Sequence, residues 1–331
     1  KMEDNSLKRG LVRVLLDLGG DAIREEAIKP FTNLKKNAWK ENMTFSAEQF
    51  TRVFRCGKAE DGALLVEYLR EGKPSKKNAG RCLIGIGVLG YKPGLGQATS
   101  FIFENHIDRA RAATSAALLG GGGDDMVTML TSKEVMGRVK AEDMEVLAAL
   151  SLIDPKAAGK AAQPFLKSVA GGKVKDYRAL AALAFALASV NDPGLTLLVD
   201  VNDRLARASV ARGIAWASIA NKNGIEYPPA LDLLRHDLEA IVRVEAAIAR
   251  AYLNRKDALQ DLGRNLPFLT EAELTGDRMV DSSLVELCNG EAIRTLRGNA
   301  WHANAFAGGK APPYRASLGM GRVWEVEREM R

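Results

Sequence analysis

Arg178-Ala-Leu-Ala-Ala-Leu-Ala-Phe-Ala begins the most apolar run of the chain, Ala179 to Ala188, and its reading decides the fold. Alanine and leucine lose little side-chain entropy in a helix, and the run lacks the β-branched residues that fill strands. It therefore reads as a buried helix. The same pattern recurs on both sides. Arg81-Cys-Leu-Ile-Gly-Ile-Gly-Val-Leu and Arg111-Ala-Ala-Thr-Ser-Ala-Ala-Leu-Leu precede it, with a weaker copy at Glu145-Val-Leu-Ala-Ala-Leu-Ser-Leu-Ile. Arg207-Ala-Ser-Val-Ala-Arg-Gly-Ile-Ala and Arg243-Val-Glu-Ala-Ala-Ile-Ala-Arg-Ala follow. The starts at 81, 111, 145, 178, 207 and 243 are separated by 30, 34, 33, 29 and 36 residues, the mark of an internal repeat.

A shorter amphipathic stretch lies between successive copies: Ala63–Arg70, Gln97–Asn105, Met126–Leu130, Pro164–Ala170, Leu195–Val201 and Pro229–Arg235. Turn residues separate them, at Lys92-Pro93-Gly94, Gly120 to Gly123, Asp154-Pro155, Asp192-Pro193-Gly194 and Asn221 to Gly224. Asp176 and Asp203 stand where helix N-caps are needed. Each unit thus reads helix, turn, helix, turn. One such pair cannot bury its own apolar stripe, whereas stacked neighbours make a continuous core with a curved outer surface. The fold class expected is all-α, an α-solenoid of about six irregular helix-turn-helix repeats with a helical N-terminal cap.

The segments Asp203-Arg-Leu-Ala-Arg207-Ala-Ser-Val-Ala211 and Leu238-Glu-Ala-Ile-Val-Arg243-Val-Glu-Ala-Ala247 resemble the second helix of HEAT-like, armadillo-type repeats. The resemblance covers roughly residues 60–255. It is closest to the short bacterial form, since the HEAT period is about 40–47 residues. It implies a concave face and conserved structural roles for the signature arginine, but no single activity.

The ends differ from the middle. Residues 1–60 read as a cap of three helices, Leu7–Leu18, Asp21–Lys29 and Ala47–Phe54, the last with Ser46 and Gln49 at capping-box spacing. Residues 61–255 form the array. Residues 256–331 read as a C-terminal cap, with a helix at Leu284–Arg297, a Gly/Pro-rich loop from Gly308 to Gly321 and a charged tail.

The chain has 331 residues, 27% of them charged, and a formal net charge of +6. That excess is spread along the chain, unlike the concentrated basic stripe of many nucleic-acid binders. Three cysteines make no disulfide framework and point to a reducing, cytoplasmic compartment, although the Lys1-Met2 opening leaves room for a removed leader. No apolar run reaches the roughly 20 residues of a membrane span.

Candidate sites were weighed against structural alternatives. Gly85-Ile-Gly87-Val-Leu-Gly90 matches a dinucleotide fingerprint in letters, but it falls inside a helix instead of at a strand-to-helix turn, so it reads as close helix packing. The Gly120–Gly123 run lacks a P-loop lysine and reads as a turn. His106, His236 and His302 have no second ligand at metal spacing, and no cofactor or metal is expected. Trp216 near Asp200, Asp203 or Asp232 imitates the base-holding residues of HEAT-like DNA glycosylases, yet its flank reads as core. The remaining candidates for binding are the arginine ladder, Arg111, Arg178, Arg207 and Arg243, and the C-terminal residues Trp301, His302, Tyr314 and Arg315. The ladder reads either as a phosphate-binding stripe or as a set of bonds between adjacent units.

With no acid/base pair or nucleophile arrangement, the sequence leans away from an enzyme. It favours a non-catalytic scaffold that binds another protein. A nucleic-acid-binding protein with a basic groove is the alternative.

Overall fold

The computed structural model describes residues 21–36, 45–72, 74–104, 106–170, 176–221 and 224–269. Among these residues the protein is all helical, with no strand. Its α-helices are α1 (Asp21–Lys36), α2 (Ala47–Cys56), α3 (Gly62–Glu71), α4 (Lys76–Leu89), α5 (Leu95–Glu104), α6 (His106–Leu119) and α7 (Gly123–Leu130). There follow α8 (Ala141–Ile153), α9 (Pro155–Ala170), α10 (Tyr177–Ser189), α11 (Arg204–Ala220), α12 (Ala230–Arg235), α13 (Ala240–Tyr252) and α14 (Ala258–Asn265). A 3-10 segment, Pro193–Leu198, stands between α10 and α11.

The helices begin and end for local reasons. Ser46 and Gln49 form the expected reciprocal box at α2: the Gln49 N–H donates to Ser46 Oγ (3.3 Å) and the Ser46 N–H to Gln49 Oε1 (2.7 Å). Asp176 accepts from the amides of Arg178 and Ala179, and Asp203 from those of Leu205 and Ala206. One ending recurs. Gly90, Gly120, Asn191 and Asn254 all have positive φ. After each, an N–H reaches back to the carbonyl five residues earlier: Tyr91 to Ile86, Gly121 to Ala116, Asp192 to Leu187 and Arg255 to Arg250. Glycine and asparagine are the residues that accept this left-handed cap.

The long helices α4, α6, α8, α10, α11 and α13 pack one against the next in that order, and α14 packs on α13. The intervening elements α3, α5, α7, α9 and α12 lie against the helix that follows each of them, and α9 also contacts α8. Among the described residues, the extensively packed pairs are neighbours or next neighbours along the chain.

Small residues make these contacts close. Every residue from Ala179 to Ala188 in α10 is buried. A Cβ built on Gly213 of α11 would overlap the Ala181 carbonyl oxygen of α10, and one on Gly87 of α4 would lie 2.8 Å from Ser115 Cα of α6. Cys82 and Trp216 are fully buried, as core residues should be. The first edge is sealed differently, by aromatic rings. Phe31 of α1 stacks on Phe45 at 4.1 Å, and Phe45 meets Tyr68 of α3 edge-on at 5.0 Å.

Three expectations are corrected in extent, the first being the helix expected at Asp21–Lys29, which runs on through Pro30 to Lys36. The short helix expected at Pro164–Ala170 begins at Pro155, where proline's fixed φ suits a first turn, and it runs through Pro164. Tertiary packing of Ala158, Ala162, Phe165 and Val169 outweighs the lost hydrogen bond. The stretch expected at Leu195–Val201 is a 3-10 turn. The helices expected at Leu7–Leu18 and Leu284–Arg297 lie outside the described residues.

Gly213→Ala forces α10 and α11 apart and is expected to lower unfolding free energy by about 2–3 kcal/mol. Gly96→Ala in α5, where a Cβ meets nothing within 4 Å, is expected to be neutral or to stabilise by up to about 1 kcal/mol. Urea titration of both variants measures the contrast.

Candidate functional site

The arginines of the ladder are occupied within the protein. Arg207 of α11 donates from Nε and Nη2 to the two oxygens of Asp237 (2.6 and 3.0 Å) and from Nη1 to the Val201 carbonyl (2.8 Å). Arg243 of α13 repeats the arrangement. Its Nη1 donates to the carbonyls of Asp237 and Leu238 (2.7 Å each), and its Nε to Asn265 Oδ1 (2.7 Å). A third member is Arg109 of α6, whose Nε donates to the Ile102 carbonyl (3.0 Å) and Nη1 to Asp143 Oδ1 (2.8 Å). Each guanidinium reaches back to a carbonyl at or just beyond the end of the preceding short element, which would otherwise lack a helical donor. Each also reaches forward to a side chain of the following segment. Arginine suits this because its planar fork serves two directions at once.

Arg178 points the other way. It pairs with Glu145 of α8 (3.0 Å), and Glu145 is buried. Arg212 of α11 pairs with buried Glu245 of α13. Arg204 and Glu239 add a surface pair at 3.3 Å. The sequence separations of these pairs are 34 for Arg109–Asp143, 33 for Arg178–Glu145, 30 for Arg207–Asp237, 33 for Arg212–Glu245 and 35 for Arg204–Glu239. They match the 29–36 spacing of the sequence copies.

Arg111 differs from the rest. Its side chain lies over α4, where a Cβ on Gly80 would overlap its Cδ. The arginine that makes the forward and backward bonds is Arg109, two positions earlier. That residue was missed because alignment on the Ala-rich run put Arg111 in register. A search for arginines followed about 33 residues later by a carboxylate would have found it. His236 is exposed, but the Asp237 side chain is only 10% exposed because Arg207 and the Glu239 N–H (2.9 Å) hold it.

The capping aspartates also join successive helices. Asp176 uses Oδ1 for its own cap and Oδ2 to accept from the Ala141 N–H of α8 (3.2 Å). Asp203 uses Oδ1 for its cap and Oδ2 to accept from the Tyr177 hydroxyl (2.7 Å). A last cluster ties α12 and α14 to α13. Arg250, buried, pairs with Asp257 and Asp261, and Arg235 pairs with the same two carboxylates.

The other candidates separate cleanly. Gly85 and Gly87 lie within α4, against Phe54 and Leu65 and against Ser115 respectively, while Gly90 is the helix cap. Trp216 is buried in α11; of its three imagined partners, Asp203 is engaged as above, Asp232 accepts from the Tyr227 hydroxyl (2.7 Å) and Asp200 is exposed. Trp301, His302, Tyr314 and Arg315 lie outside the described residues. Among the described residues, no group of three His, Cys, Asp or Glu side chains is placed to hold a metal ion, and no helix is long and apolar enough to cross a membrane. Comparison with protein-family models, curated proteins and solved structures returned no match.

The ladder has an acid limit. Burial pushes the Asp237 carboxyl up, but the Arg207 hydrogen bond and charge and the Glu239 N–H hold it below the usual carboxylate range. Burial opposes the same outcome at Asp203, where the Tyr177 hydroxyl and two backbone amides prevail. A depressed folded pKa contributes stability above the unfolded value, about 3.9, and loses it as pH falls through the folded value. The melting temperature is therefore expected to fall steadily below about pH 4. Arg207→Met strands Asp237 and is expected to cost about 3 kcal/mol, most of it recovered in Arg207→Met/Asp237→Leu. A double-mutant cycle in thermal unfolding reads the difference.

Proposed function

We propose that the chain is an α-solenoid of HEAT-like helix pairs that serves as a non-catalytic scaffold for another protein. The serial packing of α4, α6, α8, α10, α11 and α13 supports the architecture. So do the recurring left-handed helix ends and the ion pairs at separations of 30–35 residues.

The observation that carries the binding role is a set of large apolar side chains left in solvent on the connecting elements. Leu197 of the 3-10 segment, Leu233 of α12, Leu238 just beyond it and Leu259 of α14 are 49%, 56%, 95% and 71% exposed. Arg235 of α12 and its carboxylate partners at the start of and within α14 hold two of these elements together. Large leucine side chains held this far into solvent are unfavourable in water and are a feature of protein interfaces. Arg178, Arg207 and Arg243, which would have lined a phosphate-binding groove, are instead engaged by internal carboxylates, carbonyls and an amide, which weakens the glycosylase-like alternative.

Crosslinking in a native lysate, compared between the wild type and Leu197→Asp/Leu233→Asp/Leu238→Asp, tests the proposal. A specific partner is expected with the wild type and lost in the variant, whose helical circular dichroism stays unchanged. Equal capture by both proteins sinks the assignment to this face.

A further inference from the structure

The structure carries a second exposed surface, of opposite character, on α9. Lys156, Lys160 and Lys167 are all exposed, with Gln163 among them. At 3.6 residues per turn these four positions fall within about 60° of arc, and the lysines are spaced by about 6 and 10.5 Å along the axis. The helix contains no acidic residue. Beside its C-terminal half, the Ser168 hydroxyl donates to the Gly137 carbonyl (2.7 Å) and holds the loop between α7 and α8 against it. That loop adds Lys133, Arg138 and Lys140, all exposed. Glu134 and Asp154 are the exposed acids from 131 to 170, with Glu142 half-buried, and the half-buried Asp192 carboxylate accepts from Gln163 Nε2 (3.0 Å) beside the stripe. Asp143 and Glu145 of the same region are buried and already paired with Arg109 and Arg178.

Among the described residues, none of Lys133, Lys140, Lys156, Lys160 and Lys167 takes part in an ion pair, in contrast to the arginines of the ladder. The protein thus uses arginine for internal bonds and leaves lysine free on this face. Lysine is a compact, strongly hydrated point charge that serves phosphates without needing a bidentate fit. Protein interfaces are depleted in lysine and enriched in aromatic anchors and methionine; the outer face of α9 offers no such anchor, and Met136 of the adjoining loop is a single exposed apolar side chain beside Lys133, Arg138 and Lys140. Membrane-surface helices need an apolar face to insert, whereas the apolar face of α9 is buried in the core. A polyanion with closely spaced charges is the complement that remains.

We propose that the α9 face, with the adjoining 133–140 loop, binds the phosphate backbone of double-stranded nucleic acid without reading its sequence. The 3-10 segment that carries Leu197 packs beside α9, where Gln163 Nε2 donates to Asp192 Oδ2 (3.0 Å), but the lysine site does not depend on the scaffold role.

Fluorescence anisotropy of the full chain with a labelled mixed-sequence DNA duplex tests it. Binding is expected at about 50 mM salt, weakening steeply as salt rises, with a slope near 0.9 per phosphate contacted. Lys156→Gln/Lys160→Gln/Lys167→Gln is expected to weaken binding at least about tenfold and to reduce the slope by roughly 2–3. These exposed glutamine substitutions preserve the helix, as circular dichroism verifies. Lys76→Gln/Lys77→Gln, at the exposed start of α4, is expected to bind within about twofold of the wild type. Absence of binding at low salt overturns the proposal, as does a triple variant that binds like the wild type. Equal affinity for polyglutamate or anionic vesicles at the same ionic strength also overturns the nucleic-acid assignment.

Discussion

Close contact between long helices is the constraint on which the rest depends. It works because their facing flanks are alanine and glycine. A backbone carbonyl at Ala181 leaves no room for a side chain at Gly213, and Gly87 lies against the backbone of Ser115. At such distances many weak dispersion contacts add up, and each helix is covered on several sides by its neighbours. Alanine-rich helices gain little from any one side chain, so stability depends on that continuity. The aromatic cluster of Phe31, Phe45, Phe50 and Tyr68 does for the first edge what small residues do inside, by supplying area instead of closeness.

Small residues pack closely but slide easily, because one alanine resembles the next. The ion pairs supply the missing register. A guanidinium that must reach both the Val201 carbonyl and the Asp237 carboxylate fixes α11 relative to the segment that follows. Buried pairs such as Arg109–Asp143 add little net stability over an apolar substitute, but a shifted register would leave both charges stranded. The capping aspartates work in the same sense. One oxygen of Asp176 starts α10, and the other holds the first residue of α8.

This economy divides the cations by type. Arg109, Arg178, Arg207, Arg212 and Arg250 are drawn into the interior and its seams, whereas the lysines of α9 and its flanking loop remain in solvent. The apolar leucines at 197, 233, 238 and 259 are confined to the connecting elements. Two chemically distinct surfaces result, one suited to an apolar partner surface and the other to a polyanion.

The sequence by itself determined that the chain is helical, where most helices fall, and which residues start and stop them. Capping at Ser46, Asp176 and Asp203 and the break at Gly120 depend on residues close in sequence and are therefore legible there, whereas the left-handed ends at Gly90, Asn191 and Asn254 emerged with the structure. The burial of Cys82 and Trp216 was legible for the same reason, since each sits on an apolar helix flank. Only the tertiary structure decided that Arg109 bonds forward to Asp143 and back to the Ile102 carbonyl. Arg109 and Arg111 both precede the same apolar run, and the forward bond of Arg109 depends on where Asp143 stands, 34 residues away. It also decided that α9 runs through Pro164, because the packing of Phe165 and Val169 outweighs a local preference. Local signals are set by neighbours along the chain; pairings between helices are set by which surfaces meet, and no single stretch of sequence contains both partners.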